Sequence, residues 1–154
     1  MATDFNLESI AKQLTHSEIA ESLLYKHPLN HPLPNRDELR TFVELARQCI
    51  FPGYFGDCPI HISWKSKIEN LLDEISEIIT KQIYAGLCLE CSQLNVLQCQ
   101  QCRVKAKEIT SEFLKTLPLI QNMLAKDVVA IYQGDPASKS ISEVIHCYPG
   151  LMAS

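Results

Sequence analysis

From Ser63 onward, apolar residues recur every three or four positions for more than six turns: Trp64, Ile68, Leu71, Leu72, Ile75, Ile78, Ile79, Ile83, Tyr84 and Leu87. A 3.6-residue period puts that set on one face of an α-helix. The other face carries Lys67, Asp73, Glu74, Glu77 and Lys81, the charges of a solvated side. Shorter stripes flank this helix. Asn35, with Glu38 three residues on, reads as a capping box. It opens a helix with Leu39, Phe42, Val43, Leu45, Ala46 and Ile50 as its buried stripe, ending at Phe51-Pro52-Gly53. The aromatic, turn-rich loop that follows, to Pro59, is expected to pack between helices. From about Cys99 to Leu117, Ala106, Ile109, Phe113, Leu114 and Leu117 share another face. Pro118 marks a break there, and Leu119, Ile120, Met123, Leu124 and Val128 begin a further helix. Period two appears nowhere at useful length, so the fold class is all-α, a helical bundle of about six to eight helices.

The first 34 residues read differently. Phe5, Leu7, Ile10, Ala11 and Leu14 give a helical signal. Thr15 with Glu18 reads as a capping box, followed by Ile19, Ala20, Leu23 and Leu24 up to Pro28. These helices either contact another copy of the chain or pack back on their own domain. The stretch from His27 to Pro34 holds three prolines and reads as an extended linker; His27 and His31 have no further ligands beside them and read as solvated. Residues 1–154 are thus taken as a single domain, with N-terminal helices and a Pro-rich linker over 1–34 and the main body over 35–154.

Composition narrows the function classes. A net charge of −4, with no runs of Lys or Arg, argues against a nucleic-acid surface. No apolar run reaches the roughly 18 residues of a membrane span, and MATDFNLESI lacks the basic start and apolar block of a signal peptide, so the expected compartment is the cytoplasm. Seven cysteines, an odd number, fit reduced thiols. Four of them form two C-x-x-C pairs, Cys88 with Cys91 and Cys99 with Cys102, at the tip of an expected helical hairpin. Four thiolates can close a tetrahedral structural zinc site with no open position for substrate. The loop between the pairs is shorter than in zinc ribbons, and small apolar residues at helix ends would give the same pattern. A dithiol redox site would need a βαβ setting that an all-helical chain lacks.

The stretch from Leu124 to Leu151 carries the remaining chemistry. An apolar helix through Val128, Val129 and Tyr132 stops at Gly134, and Pro136 pushes Asp135 out of the α region and limits the directions in which it can point. Ser140 and Glu143 form a capping box for a short helix that Pro149-Gly150 ends. A lone carboxylate therefore sits in a rigid loop between two helices. On residue type alone, it is an ordinary helix-terminus turn residue.

Asp127-Val128, Gly134-Asp135-Pro136-Ala137, Lys139-Ser140, Glu143-Val144-Ile145 and Tyr148-Pro149-Gly150-Leu151 together resemble the serine O-acetyltransferases of cysteine biosynthesis. Phe51-Pro52-Gly53-Tyr54-Phe55 and Phe113-Leu114 through Leu117-Pro118 extend the likeness, which runs from about Leu33 to the C-terminus. The resemblance implies an acyltransferase that makes O-acetyl-L-serine and CoA from L-serine and acetyl-CoA, with Asp135 and Pro136 on the substrate side. It assigns the acetyl-CoA site and catalytic histidine to a β-helix of hexapeptide repeats that would begin soon after Leu151. The chain is thus expected to be the N-terminal domain of such an enzyme, cut from it or encoded short, and inactive alone, with no catalytic residue of its own. His146 reads as a packing or solvent-facing residue. Oligomers joined through N-terminal helices are also implied. A monomer–dimer equilibrium is the expectation, which a stable trimer in light scattering would contradict. The tail by which family members bind O-acetylserine sulfhydrylase is expected to be absent, and the isolated chain should bind neither serine nor cysteine tightly. The alternative is a non-catalytic helical interaction module, zinc-stapled if the cysteines hold metal.

Overall fold

The computed structural model describes residues 6–16, 18–23, 32–91 and 99–153. They fall into two compact units divided between His31 and Pro32.

The first unit holds α1 (Leu7–Thr15) and α2 (Glu18–Leu23). Asn6 caps α1, its side chain accepting from Ser9 N at 3.0 Å. The helix buries none of its residues, and Leu7, Ile10 and Leu14 stand exposed. The capping box expected at Thr15 is not formed. Thr15 is the last residue of α1, and its hydroxyl donates to Ala11 O at 2.9 Å, since a threonine in a last turn reaches the carbonyl four residues back. Phe5, Ser17 and residues 24–31, with most of the Pro-rich linker and both of its histidines, lie outside the described residues.

The second unit holds α3 (Arg36–Ile50), α4 (Trp64–Glu90), α5 (Gln100–Gly134), α6 (Ile141–Cys147) and α7 (Pro149–Ala153). The α4 helix packs against both α3 and α5, while α6 and α7 lie on α5. Among the described residues there are seven helices and no strand, only an isolated bridge between Pro52 and Phe55, so the all-α expectation holds. None of these helices is long and apolar enough to cross a membrane.

Two apolar clusters hold the unit together. One gathers Ala46, Cys49, Leu71 and Ile75, with Phe42, Leu45, Ile68, Leu72 and Leu114 packed around them. On α3 the inward stripe is therefore Phe42, Leu45, Ala46 and Cys49, at helical spacing, while Leu39 and Val43 lie beside it and stay exposed, contrary to the reading above. The other cluster joins Val128, Val144, Ile145 and Leu151 with Phe51, Phe55, Leu124, Ile131 and Tyr148. It fastens the end of α5 to α6, α7 and the aromatic loop, which is packed as expected. Gly53 and Gly56 give that loop its shape: both take positive φ, +88° and +70°, which L side chains adopt only with strain.

The start of α3 shows local sequence and tertiary structure completing one another. The Asn35 side chain accepts from Asp37 N at 2.8 Å and Glu38 N at 3.2 Å, half of a capping box. The returning half comes from α4: buried Gln82 accepts from Asn35 N at 2.7 Å and donates to the Glu38 carboxylate. A polar side chain buried against the helix end thus has both ends of its amide satisfied.

Pro118 does not break the chain. The α5 helix runs 35 residues through it, about 52 Å at 1.5 Å per residue. A mid-helix proline removes one backbone bond and crowds the carbonyl four residues back, at a cost of about 3 kcal/mol. Packing on both sides offsets this. Thr110, Leu117 and Val128 are buried on one continuous face, and each large apolar side chain so placed contributes about 1.5–3 kcal/mol. Gln121, three residues past the proline, also donates to Ile50 O at 3.0 Å and ties α5 to the end of α3. Pro118 itself borders a cavity of about 270 Å³ between Cys49, Leu72 and Leu114.

Candidate functional site

Asp135 caps the C-terminus of α5. Its N–H donates to Ile131 O at 3.0 Å, and its φ of −106° and ψ of 107° are the extended values that a following proline enforces. The chain then turns, with Ser138 N donating to Asp135 O at 3.0 Å. Oδ1 accepts from Ala137 N at 2.8 Å, and Oδ2 accepts from the Tyr148 hydroxyl. The half-buried carboxylate is therefore held at two points, one local and one from the residue that caps α6. The Tyr148 hydroxyl, and after it the Ala137 N–H, hold the Asp135 carboxyl below its usual range, because both bonds favour the charged form. The same bond, together with burial, pushes the Tyr148 phenol above its own. Asp135 is thus an oriented anion at neutral pH.

The short helix that delivers Tyr148 forms as the sequence indicates. Ser140 Oγ accepts from Glu143 N at 3.1 Å, while the Glu143 carboxylate accepts from Lys139 N at 2.8 Å, one residue short of the expected return bond. Tyr148 closes α6, and Pro149 opens α7 at the first helical position, where its missing N–H costs nothing. Val144 and Ile145 bury the inner side of α6 in the second cluster. Ser138 Oγ is buried in the turn, near the Tyr148 hydroxyl.

His146 is committed elsewhere. Its Nδ1 lies 2.7 Å from Ser142 O and its Nε2 lies 2.9 Å from Tyr54 O, and its ring packs 5.1 Å from that of Phe55. A base must have a free nitrogen facing the proton it takes; here Nδ1 faces Ser142 O within α6 and Nε2 faces Tyr54 O of the aromatic loop, and a neutral ring donates to one of the two.

The structure brings three of the four paired cysteines together. The sulfurs of Cys91, Cys99 and Cys102 lie within 4.8 Å of one another, with Cys91 and Cys99 3.8 Å apart. Cys88 is outside this group, buried near the end of α4. Cys99 is the N-cap of α5, and its sulfur accepts from Cys102 N at 3.4 Å; that N–H is the first cause holding its thiol below the usual range. Burial and the neighbouring thiols push Cys102 up to about 12.

Sequence reasoning singled out Asp135 and Pro136 but passed over Tyr148 as a partner of the carboxylate. Its one signal was a lone hydroxyl-bearing aromatic between a capped short helix and a proline. Gln82 was missed altogether, since it sits on the apolar side of α4 with no motif around it.

The site is thus an acidic corner, pinned by a tyrosine, on an all-helical scaffold. No family model matches the chain. Over 155 aligned positions it is 34% identical to a plasmid serine acetyltransferase of Synechococcus elongatus, an alignment that takes in 97% of this chain and 48% of that protein. The likeness read from the motifs is thus borne out, and it reaches well ahead of Leu33. The chain spans about half the length of the curated relative it matches.

Proposed function

We propose that this chain is the substrate-side and assembly part of a serine O-acetyltransferase, in which L-serine and acetyl-CoA give O-acetyl-L-serine and CoA. The observation that carries the reading is Asp135, fixed as an anion by Tyr148 and Ala137 at the corner where the motifs of the family resemblance are densest. A carboxylate has about four lone-pair sites, so two bonds leave capacity for a substrate donor. An ammonium bound there gains a charge-assisted hydrogen bond, and a substrate without one leaves the anion unpaired.

In the reaction, the serine hydroxyl attacks the thioester carbonyl as a base takes its proton, and CoA leaves as the thiol once protonated. The base and the acetyl-CoA site belong, by the family resemblance, to hexapeptide repeats; no residue of this chain is assigned to either. The exposed apolar residues of α1 favour an assembly role for the N-terminal unit. The reading places the enzyme in the cytoplasm.

A chimera tests it. When this chain replaces the matched segment of the Synechococcus elongatus protein, acetyl transfer from acetyl-CoA to L-serine should persist, whereas the chain alone should show none. A folded chimera with no transferase activity would contradict the proposal.

A further inference from the structure

The hairpin of α4 and α5 carries a group of thiols that the acyl-transfer reading does not use. Cys91 ends α4, and Cys99 and Cys102 occupy the N-cap and third positions of α5, so three sulfurs from two helices converge. A Zn–S bond of about 2.3 Å implies sulfurs about 3.8 Å apart at the corners of a tetrahedron. Cys91 and Cys99 stand at 3.8 Å as free thiols, a spacing that matches such an edge. The Cys102 N–H already donates to the Cys99 sulfur, the kind of bond that orients a metal ligand and offsets thiolate charge. Cys99 is itself buried, which suits a closed site better than a thiol meant to meet an outside disulfide.

We propose that Cys91, Cys99 and Cys102 bind one zinc ion, with Cys88, one helical turn before Cys91, supplying the fourth sulfur. Each thiol gives its proton to solvent as the metal binds. The ion fastens the end of the 27-residue helix to the start of the 35-residue one. Arg103, whose guanidinium lies 5.7 Å from the centre of the Tyr84 ring, supplies positive charge beside the resulting anionic cluster. The site is structural and independent of whether the chain serves an acetyltransferase.

The test is metal analysis of the 154-residue chain purified under reducing conditions without added zinc. About one zinc per chain is expected. The Cys99→Ser/Cys102→Ser double variant should fall below about 0.2 equivalents, and Cys49→Ser should keep its metal. Less than about 0.2 equivalents in the unaltered protein, with its thiols all titratable, overturns the proposal, as does full metal content in the double variant. Should the double variant fail to fold, cobalt(II) added to the metal-stripped unaltered protein decides. Strong visible bands of a tetrahedral thiolate site, bleached by zinc, are expected, and their absence overturns the site. Cys88→Ser should weaken zinc binding by roughly tenfold or more; an unchanged affinity overturns Cys88 as the fourth ligand.

Discussion

Ile75→Ala is expected to destabilise the second unit by about 2–5 kcal/mol, the range for deleting a fully buried isoleucine side chain where neighbours cannot close the gap. Ile75 is 0% exposed, at the centre of a cluster made by Ala46, Cys49 and Leu71 with partly buried residues of α3, α4 and α5 around it. Three helices meet there, and each is fixed at another point: α3 by Gln82, α5 by Gln121, α4 by its packing on both. The void would thus persist and the penalty sit in the upper part of the range. Urea unfolding should show the midpoint fall at little change in slope, while Glu74→Ala, on the exposed face of the same helix, should stay within about 0.5 kcal/mol. A loss below about 1 kcal/mol at Ile75 would contradict the packing described.

Ile75 was legible in the sequence because α4 is periodic over more turns than any other segment, and its charged positions fall consistently opposite. Pro118 was misread for the opposite reason: a local rule was allowed to outweigh a longer pattern. Leu117, Ile120, Leu124, Val128 and Ile131 keep one helical register across the proline, and burial along that register offsets the lost bond. Leu39 and Val43 failed as core residues because a stripe read from one helix does not reveal how wide a face its partner covers. Tyr148 and Gln82 were not legible as partners at all. Each acts across 13 to 47 positions of chain, and nothing in a single sequence pairs them. The cysteines were legible as a cluster, but the placing of Cys88 outside the group of three depends on which face of α4 it occupies.

Asp135→Ala, made in the chimera, should raise the KM for serine by roughly tenfold to a hundredfold, as expected for a lost hydrogen bond to a charged substrate group. The cause lies in the corner. Pro136 and the Ala137 N–H fix the direction of the carboxylate, and the Tyr148 hydroxyl holds it ionised without neutralising it. Alanine keeps the turn's backbone but removes the anion, so the helices should remain while serine binding suffers. Acetyl-CoA, which this carboxylate is not proposed to touch, should bind as before. Tyr148→Phe, which keeps the ring in its cluster and removes only the hydroxyl, should give the same pattern in milder form.

The most direct measurement is therefore the pair of KM values, for L-serine and for acetyl-CoA, in the chimera and in its Asp135→Asn variant. Asparagine keeps the shape and the bond from Ala137 N, removes the charge, and reverses the bond to Tyr148, whose oxygen would now accept from the amide. The account predicts a serine KM raised by roughly tenfold or more beside an unchanged KM for acetyl-CoA. Equal values for both substrates with and without the charge would contradict it.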